Sequence, residues 1–211
     1  MTSRDDTEPT ADVSGVFVHV IPATLHRACG SCNRVVSTIL AAEGLADPDP
    51  TAWYALDDCL SVYDSIEVEV GRCTLFLVGR GLARSMDWPS AVTTIDDALT
   101  ALADQYDRYH RGTDQWSITV DSDRPGCGRV TFETPYPTLL EAGLIRGIDD
   151  RFGDEETFLA VRRGPFADCL SVRWWDDGIT HVEDIVPHMT RGEDLEPDLR
   201  RANRVGTPAS R

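Results

Sequence analysis

Residues 129–152, RVTFETPYPTLLEAGLIRGIDDRF, constrain the fold of this chain more than any other stretch. Val130 and Phe132 alternate with Thr131 and Glu133, the period of a half-buried strand. Pro135 and Pro137 bracket Tyr136, forbid helix there and hold the tyrosine in an extended link. Thr138 and Glu141 have the spacing of a capping box, so a helix is expected to begin within a residue or so of Thr138. Its apolar positions, Leu140, Leu144, Ile148 and Phe152, recur every four residues. Gly143 and Gly147 lie on nearly one face, and each costs a helix roughly 1 kcal/mol relative to alanine. Such a loss makes sense where another backbone, or a ligand, must come very close.

The rest of the chain is read around this unit. Residues 16–21, VFVHVI, scan as a first strand ended by Pro22. Val35, Val36, Ile39 and Leu40 give residues 31–43 a helical face, with Gly44 as the stop. Further helices are expected over residues 57–70, with Leu56, Leu60, Tyr63 and Ile66 as the stripe, and over 73–86, carrying Leu75, Phe76 and Leu82. Thr94 can cap a long helix, with Asp97 placed to meet its free amides and Ile95, Leu99, Leu102, Tyr106 and Tyr109 as its stripe. Residues 116–120 and 129–134 pair as a hairpin across a Gly-rich loop, and 157–162 and 169–175 as a second hairpin. This order is α+β: a helical bundle packed on an antiparallel sheet of about four strands, with the Thr138 helix as the crossover between the hairpins. One domain is expected over residues 15–175, between a disordered acidic tail at 1–14 and a polar C-terminal tail at 176–211.

Charge excludes some functions. Of 211 residues 36 are acidic and 20 basic, for a formal charge of -16, and every basic residue is arginine. That surface repels nucleic-acid phosphates and anionic membranes, so neither is an expected partner. Acid excess without lysine suits a protein kept soluble in very high salt, as in a salt-loving archaeon, where a Debye length of about 3 Å removes most self-repulsion. The N-terminus lacks a basic region followed by an apolar one, and no apolar run approaches a membrane span, so the expected location is cytoplasmic. In that reducing compartment the six cysteines are expected as free thiols.

The segments WYALDDCLSVYDSIEVEVG, VGRGLA, YDRYHRG and PYPTLLEAGLIRGIDDRF, followed by a cysteine-containing strand ending in tryptophan, resemble one superfamily. It comprises the haem–nitric-oxide-binding (H-NOX) domains and the 4-vinyl reductase domains, and the likeness covers roughly residues 53–175. The resemblance implies a ligand-binding sensory fold. Its haem-binding branch implies a proximal histidine and a Tyr-x-Ser-x-Arg motif, and that motif does not occur in this chain. The 4-vinyl reductase branch implies cysteines near the last helix and strands, in some members as a zinc site. Thr138 stands where one of these would be, and Cys169 is the cysteine retained.

No catalytic signature occurs, and an enzyme is not the expected reading. The expectation is a sensory or regulatory domain binding an apolar or planar small molecule, with haem as a candidate cofactor and a protein partner as a candidate output. Its pocket should be largely apolar and lined by the segment containing Tyr136, Gly143 and Gly147, by the helix end carrying Tyr106, Tyr109 and His110, and by the last strand with Cys169 and Trp174. His110 has a plainer role, an interaction with the C-terminal dipole of its helix. His26, Cys29 and Cys32 form an H-x-x-C-x-x-C cluster, which offers a zinc site lacking its fourth ligand, a redox pair at a helix start, or small packing thiols. The last of these is the expected reading. A thiol redox protein using Cys29 and Cys32, and a pure interaction module whose pocket is filled by its own side chains, are the alternative functions.

Overall fold

The computed structural model describes residues 11–28, 32–113, 116–124, 127–153, 158–163 and 169–175. Strand β1 (Asp12–Ser14) leads into helix α1 (Gly15–Ala28), then α2 (Cys32–Ala42), β2 (Trp53–Ala55), α3 (Leu56–Glu69) and α4 (Arg72–Ser85). After α5 (Ile95–Thr100), α6 (Leu102–Tyr109) and β3 (His110–Arg111) come the hairpin β4 (Ser117–Arg124) and β5 (Cys127–Glu133), helix α7 (Thr138–Phe152), and the hairpin β6 (Phe158–Arg163) and β7 (Cys169–Trp175). The fold is α+β, as expected. Tail residues 1–10 and 176–211 lie outside the described residues.

Among the described residues the strands form two antiparallel sheets. The larger has the order β4-β5-β7-β6, with Phe132 opposite both Ile118 and Leu170, and α7 as the crossover from β5 to β6. A smaller sheet, β2-β1-β3, was not foreseen; in it Val13 pairs with Tyr54 on one side and His110 on the other. It also places Asp12–Ser14 in a strand rather than in the expected disordered tail.

Residues 16–21 are helical, which corrects the expected first strand. Phe17, Val18, Val20, Ile21 and Leu25 are buried while His19, Ala23 and His26 face outward, a 3.6-residue period that the β-branched run disguises. Pro22 lies inside α1, where it lacks the N–H that would meet Val18. Burial of that face outweighs the local preference of the segment. The long helix expected from Thr94 divides at Ala101, whose φ of -77° and ψ of -4° end α5 before α6 begins. Thr94 caps α5 as expected, its Oγ1 accepting from the Asp97 amide at 3.2 Å, but Asp97 Oδ2 turns back from the first-turn amides and accepts from the Thr94 amide at 3.0 Å, which closes a capping box. Gly44 follows α2 at φ 74°, the left-handed turn expected of a helix stop.

The pairing of α4 with α7 fixes the middle of the molecule. A Cβ on Gly143 would fall on the Phe76 carbonyl, one on Gly147 on the Arg80 carbonyl, and one on Gly79 on the Leu140 carbonyl. The glycines therefore admit a backbone. Asp150 binds Arg80 and Arg84, and Arg151 donates to the Ala83 carbonyl at 3.2 Å, so the far ends of the two helices are also tied.

Candidate functional site

Above this helix pair, α1, α6, β4, β5 and the start of α7 meet over a cluster of aromatic rings. Tyr106 stacks on His110, with centroids 3.9 Å apart, and Phe17 packs on His110 at 4.9 Å and on Tyr136 at 5.5 Å. Tyr63 joins from α3, its hydroxyl donating to the Phe17 carbonyl at 2.9 Å. All five side chains are buried.

His110 is the polar hinge of this cluster. Its Nδ1 lies 2.7 Å from the Tyr106 carbonyl, which can only accept, so Nδ1 carries the proton and donates. Nε2 is then the acceptor for the Tyr136 hydroxyl at 2.6 Å. Burial holds the imidazole down to about 4, so it is neutral at pH 7 and meets the end of α6 through a hydrogen bond rather than a charge. Tyr136 lies in a bend rather than an extended link and spends its hydroxyl on His110, and burial raises its phenol well above the usual range. Tyr136→Phe keeps the ring but leaves Nε2 buried without a partner, at a cost of about 1–3 kcal/mol. Chemical denaturation of the variant checks this, and an unchanged midpoint would mean that the bond contributes nothing.

Glu141 was missed as a site residue. The sequence pattern places it in a capping box, but α7 has Pro137 as its N-cap with no side-chain cap. The carboxyl turns inward instead, and Thr134 Oγ1 donates to Glu141 Oε1 at 2.5 Å. The same Thr134 oxygen accepts the Tyr136 amide at 3.4 Å. Burial pushes the carboxyl up to about 8. In the sequence the apolar run LLEAGLI around the acid competes with the capping-box spacing Thr138–Glu141, and the spacing points the carboxyl the wrong way.

An apolar cavity of about 30 Å³ lies here, walled by Phe17, Leu82, Ile118, Phe132, Leu140 and Leu144, with Tyr106, Thr134, Tyr136 and Glu141 completing it. Tyr106 Oη and Glu141 Oε2 are buried and find no hydrogen-bond partner among the described residues, while the surface of the cavity itself is almost wholly carbon. Tyr136 and Tyr106 thus share one cavity. Gly143 and Gly147 face α4 from the same helix, and Leu140, Glu141 and Leu144 are the α7 residues at the wall. Tyr109 lies beyond it, its hydroxyl accepting from the Asp87 amide at 2.7 Å. Cys169 pairs with Glu133 and Trp174 with Gly128 through the β7 backbone; their side chains lie outside the described residues.

The structure resembles a set of solved domains. An oxygen-binding H-NOX domain related to soluble guanylate cyclases superposes with a TM-score of 0.59 at 17% identity, over 78% of this chain and 95% of that one. A point variant of the T. tengcongensis H-NOX gives 0.57 at 18% identity, over 80% and 100%. An Fe(II) unliganded H-NOX mutant from K. algicida gives 0.59 at 9% identity, over 79% and 98%. The fold is the H-NOX fold. No family model matches the sequence, and comparison with curated proteins found no match.

An H-NOX fold implies haem, and the residues here do not fit it. A cavity of 30 Å³ has room for about two waters, far less than a porphyrin. Among the described residues no histidine or cysteine lines it, and both ring nitrogens of His110 are engaged. The cysteine cluster fares differently from its expected reading. Cys32 is disulfide-bonded, so it is neither a free packing thiol nor a thiolate for zinc. His26 is exposed and its Nδ1 accepts from Asn33 at 2.9 Å, and Cys29 lies outside the described residues. Among the described residues no three His, Cys, Asp or Glu side chains are grouped to hold a metal ion, and no helix is long and apolar enough to cross a membrane.

Proposed function

We propose that this chain is a small-molecule-sensing or regulatory domain that uses the H-NOX fold without haem, for a compact and mostly apolar ligand. The observation that carries this reading is the apolar cavity at the junction of α1, α4, α6, α7 and the β4–β5 hairpin. Small-molecule sites are concave, mainly apolar and furnished with few polar groups, and this cavity has that character at the smallest scale. A route for a response is also present. Tyr106 and Tyr136 border the cavity and grip His110, and His110 belongs to β3, which pairs with β1. A ligand that displaces the Tyr136 ring therefore acts on the small sheet through a hydrogen bond already formed, and one that displaces the Tyr106 ring acts through its stacking on His110. Its site of action is the cytoplasm of a cell rich in salt, in keeping with the acidic, lysine-free composition.

Native mass spectrometry of the full chain, purified in high salt and exchanged into concentrated ammonium acetate, tests this reading. A small organic adduct, without haem mass or visible haem absorbance, is the expected result. Stoichiometric haem in the purified protein would overturn it.

A further inference from the structure

The entry to α7 is fastened by side chains rather than by backbone. Pro135 and Pro137 have no amide proton to give, and α7 starts after Pro137 with no side-chain cap. The Tyr136 amide reaches the Thr134 hydroxyl at 3.4 Å, and that hydroxyl gives its one proton to Glu141 Oε1, one turn into the helix. The Tyr136 hydroxyl makes a second tie, to His110 Nε2. Residues 134–141 thus close around a carboxyl that is 4% exposed.

Among the described residues nothing near that carboxyl favours its charge. Tyr106 of α6 and Tyr136 of the bend face it, and both phenols are held above their usual range. Behind them stand His110 of β3, kept neutral, and Cys59 and Tyr63 of α3, whose thiol and phenol burial also pushes up. Helices α1 and α4 and the β4–β5 hairpin present carbon: Phe17, Leu82, Ile118 and Phe132. Arg80 and Arg84 of α4 and Arg146 of α7 pair with Asp149 and Asp150, more than two turns along α7. Asp96 and Asp97 belong to the first turn of α5, where Asp97 closes the cap. A carboxylate at Glu141 would lose its water and gain no cation, which is costly. A helix start with so few ties yields before the backbone contact of α4 with α7 does.

We infer that residues 134–141 form a proton-held latch: neutral Glu141 keeps it shut, and loss of that proton turns the carboxylate out to water and unfastens Tyr136 from His110. The latch goes beyond the small-ligand reading and needs no ligand. Because His110 lies in β3, which pairs with β1, opening uncouples the start of α7 from the small sheet. The Glu141 carboxyl titrates near 4.5 when exposed and at about 8 when closed in, so opening releases a proton across that interval. Below 6.5 a freed His110 takes up a proton and offsets the release; above 6.5 the release from Glu141 stands alone.

Amide hydrogen exchange of the full chain, followed residue by residue by NMR in matched high salt, tests the latch. The Tyr136 amide reports its opening, and the amide of Val78, buried within α4, reports global unfolding. Over one pH unit above 6.5, hydroxide catalysis alone speeds exchange about tenfold, and an opening that releases one proton adds about tenfold more. Exchange at Tyr136 is therefore expected to rise about a hundredfold in the natural sequence and about tenfold in Glu141→Gln. Tyr136 is also expected to exchange faster than Val78 and, unlike Val78, to be insensitive to low guanidinium. A rise of only about tenfold in the natural sequence would overturn the latch, and that result decides even where Glu141→Gln does not fold. A hundredfold rise kept in Glu141→Gln would assign the proton to another group and overturn it equally. One common rate for Tyr136 and Val78 would show that this segment opens only with the whole molecule, and the latch would fall.

Discussion

Gly143→Leu is expected to lower the stability of the chain by about 3 kcal/mol, at the upper end of what overpacking costs. For a chain of this length that corresponds to a fall of about 6–12 °C in the thermal midpoint. The reason lies in what the new side chain would strike. At Gly143 the nearest atoms are the carbonyl oxygen, carbonyl carbon and Cα of Phe76, all backbone in the middle of α4. A flexible side chain can swing away, but a helical carbonyl cannot move without its neighbours. Gly147 and Gly79 repeat the arrangement at Arg80 and Leu140, so α4 has no free direction in which to retreat. Gly44→Ala tests a different glycine property and gives a useful contrast. Its added Cβ meets nothing within 4 Å, and the cost there comes from φ 74° alone. Thermal unfolding in matched high salt compares the variants. A Gly143→Leu midpoint equal to that of the natural sequence would show that α4 and α7 are not held at backbone contact.

Much of this helix pair was legible in the sequence because glycines in an amphipathic stripe cost stability that something must offset. Residues 143 and 147 announced a close neighbour, and that neighbour is α4. The Thr94 cap, the two hairpins and the crossover were likewise readable, because each is written in local chemistry: a capping box, period-two alternation, turn residues. Two things were not. The run VFVHVI satisfies the alternation of a strand and the period of a helix equally well over so few residues, and only burial by α4 and its neighbours chooses between them. The destination of Glu141 was hidden for the same reason. A carboxylate three residues after a threonine is the pattern of a cap, and the competing partner, Thr134, reaches it only once the chain has turned at the prolines. The cavity follows from that second contact, so the aromatic half of the candidate site was readable and its acid was not.

Glu141→Gln is expected to stabilise the protein, increasingly so as pH rises, although it replaces a buried residue. Burial moves this carboxyl from its ordinary 4.5 to about 8, with the Thr134 hydrogen bond opposing the shift, while Tyr106 and Tyr136 face it as neutral phenols. Between pH 4.5 and 8 the folded chain therefore holds a proton that the unfolded chain releases. The contribution of Glu141 is fully present below its unfolded value and is lost as pH rises through the folded one. His110 has the opposite sign. Its imidazole falls from 6.5 to about 4, so its contribution is present above 6.5 and is lost as pH falls toward 4. Where the two windows overlap, between 4.5 and 6.5, their slopes cancel, and above 6.5 only the loss from Glu141 remains. Glutamine keeps an acceptor for Thr134, and it does not titrate. The variant should match the natural sequence near pH 4.5 and exceed it by an amount on the order of 4 kcal/mol at pH 8. Guanidinium denaturation at the two pH values, in matched salt, measures the difference directly. A variant no more stable at pH 8 than at pH 4.5, relative to the natural chain, would mean that Glu141 is ionised in the folded protein.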